Sequence, residues 1–336
     1  VGLDIGVGSI KAVSLSKQSE GISLDAIGEI ASPRVEWTKG DQKALGEVGD
    51  SVKRLLAEIK LKPSQVVTSL PEDEVVSRLI RLPPLKESEI KDALRYEAET
   101  FIPYPLDQVS IDYEIISEDE AGRLTVFAIA ARNELINSYI KLFKNINLEL
   151  VALESPAVAM RRIVSSSVSD TAGIMLVDMG EKYSDIVSIN AGKVYFTRAM
   201  SVGGESLTRA ISVNLGLDMA SAEEYKKAYG MKEMELEGKI KAAILPVFSS
   251  MAEEIRRGLA SFREEQNKPA DLLVLSGGGA TLPGLGEELT KLLGIEVQII
   301  QPFMKINSSK LTLPFDLNTE GCRYTLAAGL AMRGIL

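Results

Sequence analysis

Histidine is absent from this chain of 336 residues, and cysteine occurs once, at Cys322. Without histidine there is no imidazole general base and no histidine-ligated metal centre. A single cysteine excludes an internal disulfide and fits a reducing compartment. No apolar run approaches the roughly 20 residues needed to cross a bilayer. Basic residues form no dense cluster and the formal net charge is −9, which argues against a nucleic-acid surface. The chain opens at Val1 rather than at Met, so further native residues are expected before it, and a targeting segment there is left open.

What is present is globular. Hydrophobic residues make up 45% and charged residues 25%, and the length suits two domains with separate cores. One short device occurs twice: an apolar strand, an Asp, a Gly two residues on, and a second apolar strand. The first copy is Asp4-Ile5-Gly6-Val7-Gly8-Ser9-Ile10-Lys11 and the second is Asp178-Met179-Gly180-Glu181-Lys182-Tyr183. With the two Asp residues superposed, Val13-Ser14 falls on Val187-Ser188. A third segment runs from an apolar strand into Ser276-Gly277-Gly278-Gly279, followed by Pro283-Gly284.

The residue types suit a nucleotide. Glycine turns let backbone N–H groups approach a polyphosphate without Cβ interference. An Asp beside such a turn repels phosphate unless hydrated Mg²⁺ lies between them, and Mg²⁺ is usually held by one or two carboxylates with retained waters. Lys11 offers a point charge to phosphate, and Gly277, Gly278 and Gly279 leave room for a base or ribose. One Asp-x-Gly alone reads more simply as a hairpin turn. Duplication and the later glycine turn favour the nucleotide cleft.

Periodicity predicts strands over residues 1–30, a helix over 42–59 and a short strand over 66–70. Residues 75–147 read as an inserted β-α-β-β-α unit: a strand over 75–82, a helix over 87–101 stopped by Pro103 and Pro105, strands over 109–116 and 123–131, and a closing helix over 134–144. The second half reads as a hairpin at Asp178, a strand over 193–199, and helices over 204–215, 219–229 and 240–266. Beyond the glycine turn come a helix over 285–293, a strand over 297–300 and a small-residue helix near 327–332 that can cross back to the first half.

Asp4, Gly6, Gly8 and Lys11 resemble the first phosphate loop of the actin-like ATPases, Asp178 and Gly180 the second, and Ser276 to Gly279 with Pro283-Gly284 the adenosine loop. The resemblance implies an α/β, actin-like (ribonuclease H-like) fold: two duplicated domains flanking a nucleotide cleft, with an inserted subdomain of the FtsA type called 1C. Domain I would cover 1–172, with core 1A at 1–74 and 148–172, the returning helix at 322–336, and 1C at 75–147. Domain II would cover 173–321, with 2A at 173–202 and 270–321 and 2B at 203–269. The stretches Leu82-Pro83-Pro84-Leu85, Ala93-Leu94-Arg95-Tyr96-Glu97-Ala98-Glu99, Phe101-Ile102-Pro103-Tyr104-Pro105 and Asp112-Tyr113-Glu114-Ile115 are similar to the PilM family of type IV pilus assembly proteins in particular. FtsA normally continues into a linker and an amphipathic membrane helix, whereas this sequence stops at Leu336.

That resemblance implies a cytoplasmic ATP-binding adaptor at the inner membrane. It would hold the cytoplasmic N-terminal tail of PilN, a partner of PilO, and link them indirectly to the pilus motor ATPase and platform proteins. Asp4 and Asp178 would hold Mg²⁺ through water, with Gly6, Gly8, Ser9, Lys11 and Gly180 around the phosphates and Glu181 near the metal. Gly204 resembles a position near the nucleotide. Glu223 and Lys226 resemble residues that reach ribose and base, and equally suit a solvated helix pair. The partner groove is expected between 1C and 1A, with Val75, Leu79, Phe101 and Ile102 as walls. Glu154 is the candidate for orienting a hydrolytic water, although relatives often place Glu immediately before Pro and here Ser155 intervenes. Lys182 stands where actin has Gly, so hydrolysis is expected to be slow at best. An FtsA-like division protein and a small-molecule kinase on the same core are the alternatives.

Overall fold

The computed structural model describes residues 1–19, 21–169, 171–233 and 235–335. In chain order the first half runs β1 (Gly2–Ile5), β2 (Ser9–Gln18), β3 (Gly21–Ala31), α1 (Gln42–Glu58), β4 (Gln65–Ser69), β5 (Val75–Leu82), α2 (Glu87–Ala98), β6 (Val109–Glu118), β7 (Leu124–Arg132), α3 (Asn133–Asn145), β8 (Glu149–Glu154) and α4 (Pro156–Ser167). The second half runs β9 (Ile174–Met179), β10 (Ser184–Asn190), β11 (Lys193–Met200), α5 (Gly204–Leu215), α6 (Met219–Tyr229), α7 (Lys239–Gln266), β12 (Leu272–Ser276), α8 (Leu285–Leu293), β13 (Val297–Ile299), β14 (Ile306–Asn307), α9 (Leu317–Glu320) and α10 (Thr325–Ala331).

Two sheets repeat one topology. The first has the order β14-β3-β2-β1-β4-β8 and the second β11-β10-β9-β12-β13. In each, three strands meander antiparallel and the innermost then pairs with parallel strands: β1 with β4, and β9 with β12. The duplicated sequence device is therefore the first hairpin of each sheet. The parallel strands carry near-continuous apolar runs because both faces are covered, as at Leu272–Ser276, where all five residues are buried.

A third sheet, β5-β7-β6, is spliced in after β4. Its even-numbered β5 residues Ile80 and Leu82 meet Ile90 and Leu94 of α2 in a separate small core. Helix α3 departs from expectation. Leu135, Tyr139, Leu142 and Phe143 pack with Leu45, Val48 and Val52 of α1 against the first sheet, so α3 joins that sheet's core instead of closing the inserted unit. The helix pattern was legible; which sheet receives its apolar face was not. Helix α2 also stops at Ala98, short of the expected residue 101.

The last helix does cross back. α10 packs on α4 and β1, and a Cβ added at Gly329 would lie 2.1 Å from the Ala159 carbonyl oxygen, so the backbones touch where only glycine fits.

Candidate functional site

The two hairpins share one register. Asp4 faces Lys11 across β1–β2, and Asp178 faces Asp185 across β9–β10. Each turn is closed by the same bond: Gly6 N–H donates to the Ser9 carbonyl at 3.0 Å, and Gly180 N–H to the Tyr183 carbonyl at 3.0 Å. A Cβ at Gly180 would lie 2.7 Å from that Tyr183 oxygen, so the turn excludes larger residues.

Carboxylates dominate the space between. Lys11 Nζ donates to Asp4 Oδ2 at 3.5 Å, and Ser276 Oγ donates to Asp178 Oδ1 at 2.6 Å. Burial pushes the Asp4 and Asp178 carboxyls above the usual range, and Lys11 only partly opposes this. Asp185 is pushed well above it, by burial first and then by the charges of Glu72, Asp178, Asp73 and Asp4. Several half-buried carboxylates facing one lysine favour a bound cation. Among the described residues, no three such side chains form a direct metal cage. The donor set fits Mg²⁺ held through its waters. Asp185 was not singled out from the sequence, though its spacing from Asp178 matches that of Lys11 from Asp4.

The glycine turn after β12 divides its duties. Gly277 has φ +81°, and a Cβ there would meet the Met179 carbonyl oxygen at 2.5 Å; one at Gly279 would meet Met179 Cβ at 2.7 Å. These two are explained by packing on the end of β9. Only Gly278 has open space beyond it, with no heavy atom within 4 Å. The expectation that all three leave room for a ligand therefore narrows to Gly278.

Gly204 begins α5, and its N–H donates to the Gly180 carbonyl at 3.0 Å, tying that helix to the second turn. Lys226 is buried and donates to the Gly204 carbonyl at 3.0 Å, Thr208 Oγ1 at 2.8 Å and Glu223 Oε2 at 2.6 Å. Burial acts to raise the Glu223 carboxyl, but hydrogen bonds from Lys226 and Thr208 outweigh it and hold it low. The pair is thus no solvated surface bridge; it joins the first turn of α5 to α6 beside the second phosphate-loop candidate.

Glu181 reaches across to the first hairpin. Its Oε2 lies so close to Gly8 that a Cβ there would be 1.7 Å away, and Arg34 Nη2 donates to its Oε1 at 3.1 Å. Ser9 closes the same turn through its carbonyl. A carboxylate therefore stands over the glycine turn where a phosphate is expected.

Glu154 corrects the catalytic expectation. It ends β8 with its side chain 4% exposed, and both oxygens accept from Arg162, at 2.7 and 2.6 Å. Arg333 donates to it as well. The carboxylate is committed to fastening β8, α4 and the C-terminal segment. A carboxyl nearby with no cationic partner among the described residues is Glu72, buried in the turn Glu72–Glu74 and accepting from Ser155 Oγ at 3.4 Å and from Thr197 Oγ1 on β11. Burial raises its pKa to about 7.

The four expected groove residues do not share a wall. Ile102 is buried with Ala98, Val109 and Ala130, inside the inserted unit, and Phe101 packs beside it under Arg78. Val75 packs toward the first sheet's core, and Leu79 toward the second half. Strand period places odd β5 residues on the face opposite α2, where Ser77 Oγ lies 3.0 Å from Thr197 Oγ1 and Arg81 donates to Glu265.

No helix among the described residues is long and apolar enough to cross a membrane. In sequence, the chain is 27% identical over 122 residues to the ethanolamine utilization protein EutJ of Escherichia coli K12, covering 36% of this chain and 38% of that protein. It spans less than two thirds of the length of the curated relatives it matches, which include FtsA cell-division proteins. In structure, it superposes with TM-score 0.87 and 27% identity on a chain of a PilM–PilN type IV pilus biogenesis complex, covering 100% of this chain and 98% of the other. It also superposes on MreB5 of Spiroplasma citri bound to AMPPNP, with TM-score 0.54 and 13% identity, covering 99% of this chain and 95% of the other. These likenesses establish an actin-like fold. The family described as type IV pilus assembly protein PilM matches residues 2–335, from the first glycine of β1 to the end of the described chain, and the protein belongs to that family.

Proposed function

We propose that this protein is an ATP-binding adaptor of type IV pilus assembly that holds the N-terminal tail of PilN at the cytoplasmic face of the inner membrane. The observation that carries the partner is the whole-chain likeness to PilM in a complex with PilN. Nucleotide binding is supported by the paired hairpins, in which one register sets Asp4 against Lys11 and Asp178 against Asp185.

Asp4, Asp178 and Asp185 would hold Mg²⁺ through its waters, Lys11 would meet phosphate, and the open side of Gly278 would receive the adenosine. When bound, the metal supplies charge neutralisation for the phosphates. Ser276 orients Asp178, and the Lys226 network holds the start of α5 against Gly180. Hydrolysis is slow in this reading, because Glu154 is occupied by two arginines and Glu72 is held by hydroxyls. Residues 75–132 form the inserted 1C-type unit, and the tail would lie where it meets the first core. Linkage to the motor and platform passes through PilN and PilO.

Calorimetry tests both halves. Mg·ATP and a synthetic PilN tail should each bind, and turnover should stay well below the roughly 10 s⁻¹ typical of enzymes. Binding of an FtsZ tail but no PilN tail would overturn the partner; rapid phosphorylation of a small acceptor would revive the kinase reading.

A further inference from the structure

Helices α1 and α3 lie side by side and end in the same way. Beyond α1, Lys60 is left-handed (φ 55°) and Leu61 N–H donates back to the Leu56 carbonyl at 2.8 Å. Beyond α3, Asn147 is left-handed (φ 58°) and Leu148 N–H donates back to the Phe143 carbonyl at 3.0 Å. In this helix stop the residue after the left-handed position folds its apolar side chain back. Two such stops in parallel bring Leu56, Leu61, Ile146 and Leu148, with Pro63, around one cavity of about 460 Å³. It opens where β4 and β8 begin, at the end of the first sheet opposite Asp4.

The rim is basic. Lys53, Lys60 and Lys62 border the cavity, and all three are exposed. Lys53 has only a long contact of 3.8 Å to Asp50, and among the described residues Lys60 and Lys62 have no carboxylate within 4.0 Å. On a chain of net charge −9 this is a local reversal of sign. Lys60 also occupies a left-handed position at which glycine is relaxed and lysine strained.

We propose that this cavity is a second docking site, beyond the nucleotide and PilN sites, for an acidic–aliphatic peptide segment of a partner protein. One aliphatic side chain enters the floor and flanking carboxylates meet the lysines. A phosphate seated in the recess is disfavoured, because the floor is aliphatic and lies at two helix C-termini, the negative ends of their dipoles, whereas the peptide's carboxylates stay out on the rim with the exposed lysines. A bilayer is flat on this scale and cannot fill a recess between two helix ends. A recess of this size falls in the range of small-ligand pockets, enough for a short run of aliphatic side chains.

The test uses the full chain and a labelled peptide with two glutamates on each side of a Leu-Ile-Leu centre. Binding by fluorescence anisotropy should weaken with added salt, and by about tenfold or more in the Lys53→Glu, Lys60→Glu, Lys62→Glu triple variant. These lysines are exposed, so the variant should melt like the parent and retain its Mg·ATP and PilN-tail affinities. A serine-centred peptide should not bind. The proposal is overturned if the variant binds unchanged, if a lysine-flanked peptide binds equally well, or if only phosphatidylglycerol vesicles bind. It is also overturned if sedimentation shows self-association through these lysines that the peptide does not displace.

Discussion

Asp178 and Asp185 face each other across β9–β10 at the register where Asp4 faces Lys11 across β1–β2. One hairpin therefore carries an ion pair and the other an acid pair. Directly opposed like charges destabilise a sheet by up to about 1 kcal/mol.

Asp185→Asn relieves that repulsion. The protein without metal should gain up to about 1 kcal/mol, while the extra stability conferred by Mg·ATP should shrink. Thermal melts with and without Mg·ATP check both directions, and a variant with an undiminished Mg·ATP gain would remove Asp185 from the site.

Glu72 predicts a pH dependence. Its carboxyl ordinarily titrates at 4.5 and in the folded protein at about 7, so the unfolded chain releases this proton first as pH rises. Stability therefore falls between about pH 4.5 and 7 and is level above, by at most roughly 3 kcal/mol from this group. Glu72→Gln keeps a polar partner for Ser155 and Thr197 and should gain on the parent across that window. Urea unfolding at several pH values measures it; parallel curves would contradict the assignment.

Glu154 is a fastener, and its loss is a stability event. Glu154→Ala leaves Arg162, 16% exposed, without its carboxylate and should cost about 3–5 kcal/mol. Turnover per folded molecule should not change. Arg333→Ala should cost less, since that side chain is 48% exposed.

Glu181 places a negative charge over Gly8. Glu181→Ala should tighten ATP binding by roughly threefold to tenfold, the scale of removing one like charge at a partly solvated site. Calorimetry decides it, and weaker binding would mean that Glu181 reaches the metal.

Much of the fold is legible in the sequence. The duplicated Asp-x-Gly turns appear in sequence because a hairpin's chemistry is local: the strand pattern, the turn glycine and the spacing lie within a few residues. Helix faces such as Leu45, Val48 and Val52 were readable for the same reason. What the chain alone left open depends on contacts distant in sequence. The apolar stripe of α3 has no address until α1 and the first sheet are beside it. A strand over 75–82 is legible, but only the tertiary fold sends Leu79 to one core and Ile102 to another. Glu154 looks like a free acid in sequence because Arg333 lies 179 residues away. The sequence by itself determined the strands, turns and donor types of the two hairpins; tertiary packing decided which carboxylates are paired with arginine, since burial and ion pairing are set by neighbours that the local chain does not contain.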